Sequence, residues 1–227
     1  MSRVVVVTGG AKGIGKAVAE RFAADRVEAG GRDMLDVTDE DAVAAFFERI
    51  GPVDVLVNNA GVAEGAPLAR TTLESWQHHF DVNATGAFLC TRAVLPEMLE
   101  RGEGRIITVA STAGLRGARY TAAYTAAKHA AVGLMRATAA EVAGTGVTAN
   151  AVCPGWVRTA MMRRAVERIV ATTDRDGEQA EAALVAQMPL GRALEPEEVA
   201  EAVWYLASPE AAAINGQAVV LDGGGIQ

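Results

Sequence analysis

Apolar residues along this chain fall into short blocks separated by longer stretches with helical spacing. The blocks are Val4 to Thr8, Val53 to Val57, Arg105 to Val109, Val147 to Val152 and Ala218 to Leu221. They read as continuous apolar runs, the pattern of strands covered on both faces in a parallel sheet. Helical periodicity fits Gly13 to about Ala24, Asp39 to Ile50, Thr72 to His79, Ala84 to Arg101, Ala122 to Ala143 and Pro196 to Leu206. The last opens on Pro-Glu-Glu, a helix start signal. Strands alternating with helices predict an α/β fold with a parallel sheet between two helical layers. No repeat, low-complexity tract or linker divides the 227 residues, so residues 1–227 are expected to form a single domain.

One segment departs from the alternation. Ala160 to Pro189 is helical in composition, charged, and interrupted at Thr172-Thr173-Asp174-Arg175-Asp176-Gly177. A long excursion between the last two core strands is expected to be a lid or a mobile loop. Its apolar members Met161, Met162, Val166, Ile169, Leu184 and Met188 would anchor it.

Composition narrows the functional classes. Half the residues are apolar and 22% are charged, which excludes intrinsic disorder. The net charge is -7, and no basic block could track a phosphodiester backbone, so nucleic acid is not expected as a partner. No window of about 18 residues is free of charge, which argues against a membrane span. The first strand begins at Val4, which leaves no room for a targeting peptide, and Cys90 and Cys153 are the only cysteines. A cytoplasmic protein is the expectation. His78 and His79 are adjacent, so they point about 100° apart on a helix and cannot share a metal. They are read as solvated-face residues, and no metal site is expected.

Thr8-Gly9-Gly10-Ala11-Lys12-Gly13-Ile14-Gly15 follows the first strand and opens a helix. Glycines there permit a tight turn, and free N–H groups at a helix N-terminus suit a pyrophosphate. The spacing alone is weak, since it would arise by chance in roughly a quarter of chains this rich in glycine; its place after a strand gives it weight. Tyr124-Thr125-Ala126-Ala127-Lys128 is sharper. Four residues put tyrosine and lysine one turn apart on the same helix face. With three tyrosines and the lysines Lys12, Lys16 and Lys128, such a pair has a chance probability of about 0.04. A cation within about 4 to 6 Å lowers a phenol's pKa, so the pair suits proton exchange with an alkoxide.

Further motifs stand in a fixed order: Asn58-Asn59-Ala60-Gly61 after the second block, Asn83 in Asp81-Val82-Asn83-Ala84-Thr85-Gly86, and Ser111 13 residues before Tyr124. Pro154-Gly155-Trp156-Val157-Arg158-Thr159 and Asp222-Gly223-Gly224 complete the set. Over essentially its whole length the chain resembles the short-chain dehydrogenase/reductase family, with a flavour of the 3-oxoacyl and polyketide ketoreductases. The resemblance implies a Rossmann-type doubly wound sheet and an NAD(P)-dependent oxidoreductase. It would move a hydride between nicotinamide C4 and the carbon of a small-molecule carbonyl or alcohol. It assigns Tyr124 as acid-base and Lys128 as the cation that tunes it and binds ribose. Ser111 would polarise the carbonyl, and Asn83 would hold a relay water. Gly9, Gly13, Ile14 and Gly15 would hold the pyrophosphate, with Asn59, Ala60 and Gly61 also near the cofactor. Pro154, Gly155, Val157 and Thr159 would border the nicotinamide. It also implies a homotetramer, built on the Ala84 to Arg101 and Ala122 to Ala143 helices and the Ala218 to Leu221 strand. Ketone reduction is the reading preferred. The rivals are an alcohol or dihydrodiol dehydrogenase working oxidatively and, in another class, a non-catalytic dinucleotide sensor.

The chain departs from the family between Asp25 and Thr38, where two strands and a helix are normally found. If Val27 to Ala29 and Asp33 to Asp36 were both strands, only Gly30 to Arg32 would join them, too little for a parallel crossover. One β-α unit is therefore expected to be missing, leaving about six strands and a truncated edge at the adenosine end. A strand over Arg32 to Asp36 would offer Asp36 to the ribose diol, with Val37 beside it, favouring NAD(H). A strand over Val27 to Gly30 would instead leave Gly31, Arg32 and Lys12 there, suited to the 2′-phosphate of NADP(H). The first arrangement, with NAD(H), is the one preferred.

Overall fold

A computed structural model describes residues 2–186 and 188–226. Six parallel strands, β1 (Val4–Val7), β2 (Arg26–Ala29), β3 (Val55–Asn58), β4 (Gly104–Val109), β5 (Val147–Pro154) and β6 (Ala218–Leu221), form one sheet in the order β2-β1-β3-β4-β5-β6. The helices are α1 (Gly13–Arg21), α2 (Glu40–Ile50), α3 (Leu73–Phe80), α4 (Gly86–Arg101), α5 (Ala122–Glu141), α6 (Ala160–Thr172), α7 (Gly177–Val185) and α8 (Pro196–Leu206).

Alternate residues of β1 and of β3 to β6 enter different cores, which explains the unbroken apolar runs. Val6, Leu56, Ile106 and Ala149 face α2, α4 and α5, where Phe46, Val94, Met98 and Met135 meet them. Val5, Val7, Val57 and Ile107 face α1 and α8, against Val18, Phe22, Val199 and Val203. Both faces are covered, so the strands are mostly apolar on both parities, and buried polar members such as Asn58 and Asn150 are hydrogen-bonded. Helix ends follow local chemistry. The Asp39 carboxylate accepts the Ala42 amide at 3.0 Å, Thr72 Oγ1 accepts Ser75 at 3.1 Å, and Glu195 and Glu198 form a capping box around Pro196.

The truncated edge is present, but its strand is not the one preferred from sequence. Arg26–Ala29 pairs with Val4–Val7 in parallel register. Arg32 to Asp36 forms a turn in which the Met34 and Leu35 amides both bond back to the Gly31 carbonyl at 3.1 Å. The crossover rule forbade two neighbouring strands there without saying which one survived. Val27 and Ala29 pack into the α1/α8 core while Arg26 is exposed, the half-polar pattern of an edge strand. A doubly wound sheet of order 3-2-1-4-5-6 has one more strand outside this position; here β2 itself is the edge.

Candidate active site

The chain leaves β1 toward β2 on one side and returns to β3 on the other, so a crevice opens at the carboxyl ends of β1 and β3, where ligands bind in such sheets. Thr8 and Asn59 tie the two ends together. Thr8 Oγ1 accepts the amides of Asn59 and Ala60 at 3.0 Å, and Asn59 Nδ2 donates to the carbonyls of Thr8 and Gly9 at 2.9 and 3.1 Å. Asn58 is structural, with Nδ2 donating to Thr91 Oγ1 at 3.0 Å.

The glycine turn fits a dinucleotide pyrophosphate. Gly13 has φ +55°, and a Cβ at Gly15 would lie 2.5 Å from the Gly9 carbonyl oxygen, so side chains are excluded where a backbone must approach closely. Lys12 caps α1 without a side-chain hydrogen bond, leaving the first amides free. Ile14 packs on the α1/α8 core. Across the crevice, a Gly13 Cβ would lie 3.2 Å from Thr159 Cγ2. The Pro154 to Thr159 segment is pinned by Gly155 N–H on the Leu221 carbonyl and Arg158 N–H on the Leu194 carbonyl, both at 2.8 Å. Val157 is buried there, and Asp222 Oδ1 receives the Gly224 and Gly225 amides at 2.9 Å.

The four expected chemical residues converge. Ser111, just beyond the end of β4, accepts the Ala113 amide through Oγ at 3.1 Å and turns its hydroxyl hydrogen to the Tyr124 oxygen. Tyr124 and Lys128 extend from α5. Lys128 Nζ donates to the Val109 carbonyl at 2.9 Å and lies 5.9 Å from the Tyr124 ring centroid. A Cβ at Gly61 would stand 2.9 Å from Asn83 Oδ1 and 3.6 Å from Lys128 Nζ. Asn83 sits in a π turn, Asp81–Thr85, that joins α3 to α4; such turns favour functional positions. Its amide donates to the Val62 and His79 carbonyls at 3.0 and 2.9 Å and accepts the Val62 N–H at 3.2 Å.

Electrostatics here differ from the sequence expectation. Tyr124 is raised above the ordinary tyrosine value, because burial outweighs the hydrogen bond from Ser111 that favours the phenolate. Burial likewise pulls the Lys128 amine down to about 8. Cys153, fully buried beside Lys128 and Ser111, is pushed up to about 11 by burial, as befits a packed thiol and not a nucleophile.

Three further expectations are corrected. Asp36 lies seven residues beyond β2, and its carboxylate is occupied by Thr38 Oγ1 and Arg32 Nε, each at 2.7 Å. Val37 turns its side chain into the core, close enough to crowd any Cβ at Gly86. His79 is wholly buried, whereas His78 and His129 are exposed. Adjacency on a helix guarantees different directions without saying which one points inward. Among the described residues no group of three or more His, Cys, Asp or Glu could hold a metal, and no helix is long and apolar enough to cross a membrane.

A glycine cradle, a Tyr/Lys pair and a serine at the carboxyl edge of a parallel sheet define a nucleotide-dependent oxidoreductase. The family model described as Enoyl-(Acyl carrier protein) reductase matches residues 27–225. The chain belongs to the short-chain dehydrogenase/reductase family, whose members use NAD(P). It is 37% identical over 246 residues to the 3-oxoacyl-[acyl-carrier-protein] reductase FabG of Vibrio cholerae, covering 98% of this chain and 96% of that protein. Over 212 residues it is 43% identical to the inactive 2-(S)-hydroxypropyl-CoM dehydrogenase 2 of Xanthobacter autotrophicus, covering 92% and 90%. A variant of actinorhodin polyketide ketoreductase, solved with NADPH, superposes with TM-score 0.91 at 38% identity, covering 98% and 97%.

Lys128 gives a test of site electrostatics. Its folded pKa of about 8 lies below the ordinary 10.5, so between those values the unfolded chain holds a proton that the folded chain has released. Stability from this group therefore rises with pH across that window. Relative to Lys128→Met, the wild type should gain about 3 kcal/mol in urea unfolding between pH 7 and pH 10.5. A pH-independent difference would show that the amine is not desolvated.

Proposed function

We propose that the protein reduces the ketone of a 3-oxoacyl thioester to a secondary alcohol, using NADPH. The observation that carries this reading is the convergence of Ser111, Tyr124 and Lys128 at the edge of the crevice, with the glycine cradle alongside. When bound, the nicotinamide would supply a hydride for the carbonyl carbon. Ser111 turns its hydroxyl hydrogen from the phenol to the carbonyl oxygen, and Tyr124 transfers its phenolic proton to the same atom as charge develops. A phenol held above its ordinary pKa in the free protein keeps that proton until needed. Lys128 has one N–H on Val109 and others free toward the ribose and the phenol. Both amide hydrogens of Asn83 are engaged, so a relay water would meet its main-chain carbonyl in the π turn.

The preference for NADPH rests on the end of β2. Gly30, Gly31 and Arg32 follow the strand, and Lys12 caps the neighbouring helix. Arg32 and Lys12 suit a 2′-phosphate once Arg32 exchanges its Asp36 partner for that anion. The solved relative binds NADPH. Kinetics on a 3-oxoacyl thioester with each cofactor should show at least about tenfold preference for NADPH, reduced by Arg32→Ala and unchanged by Asp36→Ala. In the same assay Tyr124→Phe should lose about 10²- to 10⁴-fold in kcat, the range of a general acid. An NADH preference removed by Asp33→Ala, whose carboxylate lies against Gly31, would overturn the cofactor assignment. A Tyr124→Phe enzyme retaining a tenth of the rate would overturn the acid. Absence of turnover with any ketone would favour the non-catalytic alternative.

We further infer that residues 160–189 act as a substrate lid. α6 and α7 pack a small core of Met162 and Leu184 on Ala193, separate from the two main cores. The lid touches the body through Arg168 on the Gly65 carbonyl at 2.8 Å and Glu181 on Arg158 at 3.0 Å, and at its C-terminal end Met188 is buried in the α1/α8 core. The exposed contacts of α6 and α7 hold weakly, so these two helices can move while Met188 anchors the end of the segment. Hydrogen exchange in 160–186 should slow at least severalfold with NADPH; equal rates would remove the lid.

Assembly as a homotetramer is supported by exposed Leu73 and Trp76 on α3, Phe88 and Leu99 on α4 and Tyr205 on α8, with β6 at an open sheet edge. Light scattering should return about four times the 23.6 kDa chain mass. A mass of one chain would contradict it.

A further inference from the structure

His79 is a buried imidazole with no part in the proton and hydride transfers. It lies one turn before Asn83, so the two side chains share a helix face. Nδ1 is 2.7 Å from the Ser75 carbonyl, and Nε2 is 3.0 Å from the Glu64 backbone nitrogen. A carbonyl can only accept and an amide can only donate. The ring is therefore the neutral tautomer with hydrogen on Nδ1 and a lone pair on Nε2. The imidazole also meets the Tyr124 ring edge-on, with centroids 6.4 Å apart.

These contacts make a two-rung clamp. Asn83 holds both main-chain groups of Val62, and His79 holds the amide of Glu64 two residues on. The clamped segment starts at Gly61, beside Lys128 Nζ, and reaches Gly65, whose carbonyl receives Arg168 of the lid. At its far end Ala66 donates to the Tyr120 carbonyl at 2.7 Å, four residues before the acid. Tyr120 has φ +64°, a conformation that only a held loop maintains in a tyrosine. Ser75 and Glu64, the two partners of His79, line a cleft of about 70 Å³ together with Tyr120 and Arg168.

We propose that His79 is a positioning residue that fixes the Val62–Ala66 segment as the substrate wall and sets the edge of the Tyr124 ring against it. The proposal rests on the ketoreductase reading and names the residue that aligns its acid with its substrate. His79→Asn keeps a donor near the Nδ1 place but has nothing to reach Glu64, whereas His79→Gln carries an amide oxygen to the Nε2 place. With NADPH and a 3-oxoacyl thioester, His79→Asn should lower kcat/KM for the ketone about tenfold, the weight of one buried hydrogen bond. NADPH affinity should stay within about twofold, because the cradle lies elsewhere. His79→Gln should recover to within about threefold of wild type.

Equal loss in Gln and Asn, no loss in Asn, or a matching loss of NADPH affinity would each overturn the role. ¹⁵N NMR of the wild type at pH 7 supplies a check independent of any variant: an unprotonated Nε2 is required, and a protonated one refutes the clamp. Tyr124→Phe in the same assay separates the two ideas. If it is inactive while the His79 variants behave as wild type, only the positioning role falls. If it is fully active, the reaction assigned to the site falls first.

Discussion

The site depends on keeping a lysine amine in a place with almost no water. Lys128 is 5% exposed, and burial draws its pKa to about 8. An ammonium there costs several kcal/mol unless its hydrogens find acceptors. The Val109 carbonyl is such an acceptor because β4 ends there, and a strand's last carbonyl has no ladder partner. Gly61 leaves room above it, Ala127 and Ala131 keep α5 close to the sheet, and Cys153 fills the space beneath with a neutral thiol. Parallel strands ending together make this possible, since the carboxyl ends of β1, β3, β4 and β5 all open on one crevice.

The free protein is thereby biased away from ionisation. Burial raises Tyr124 and lowers Lys128, so both are inclined toward their neutral forms. Only the Ser111 hydrogen bond works toward the phenolate. A site of this kind holds its acid protonated at rest, as a reductase requires of a group that must donate a proton.

At the other end of the crevice the sheet closes on a short edge strand. Removing an outer strand leaves β2 pairing only with β1, yet Val27 and Ala29 still close the core over α1. The adenosine side is then framed by the Gly30 to Thr38 turn, where Arg32 and Asp36 neutralise each other at 2.7 Å. That pair is mostly solvated on the arginine side, so it can yield to a stronger anion at modest cost.

Much of this was legible in the chain itself. Five of the strands and the six main helices follow from apolar runs and 3.6-residue spacing, because cover on both sheet faces favours apolar residues on both strand parities. Tyr124 and Lys128 stand out because helical pitch puts them one turn apart on one face, whereas Ser111 is picked out by the family resemblance. Tertiary structure alone decided four matters. An edge strand half exposed to water carries no unbroken apolar signal, so Arg26–Ala29 could be recognised only by its register with β1. The inward turn of His79 depends on the loop packed over α3, and the burial of Val37 on Gly86 in another helix. The sign of the Tyr124 shift depends on how much water the assembled crevice excludes. Each is set by a surface brought from elsewhere in the chain, and local spacing carries no record of such a surface.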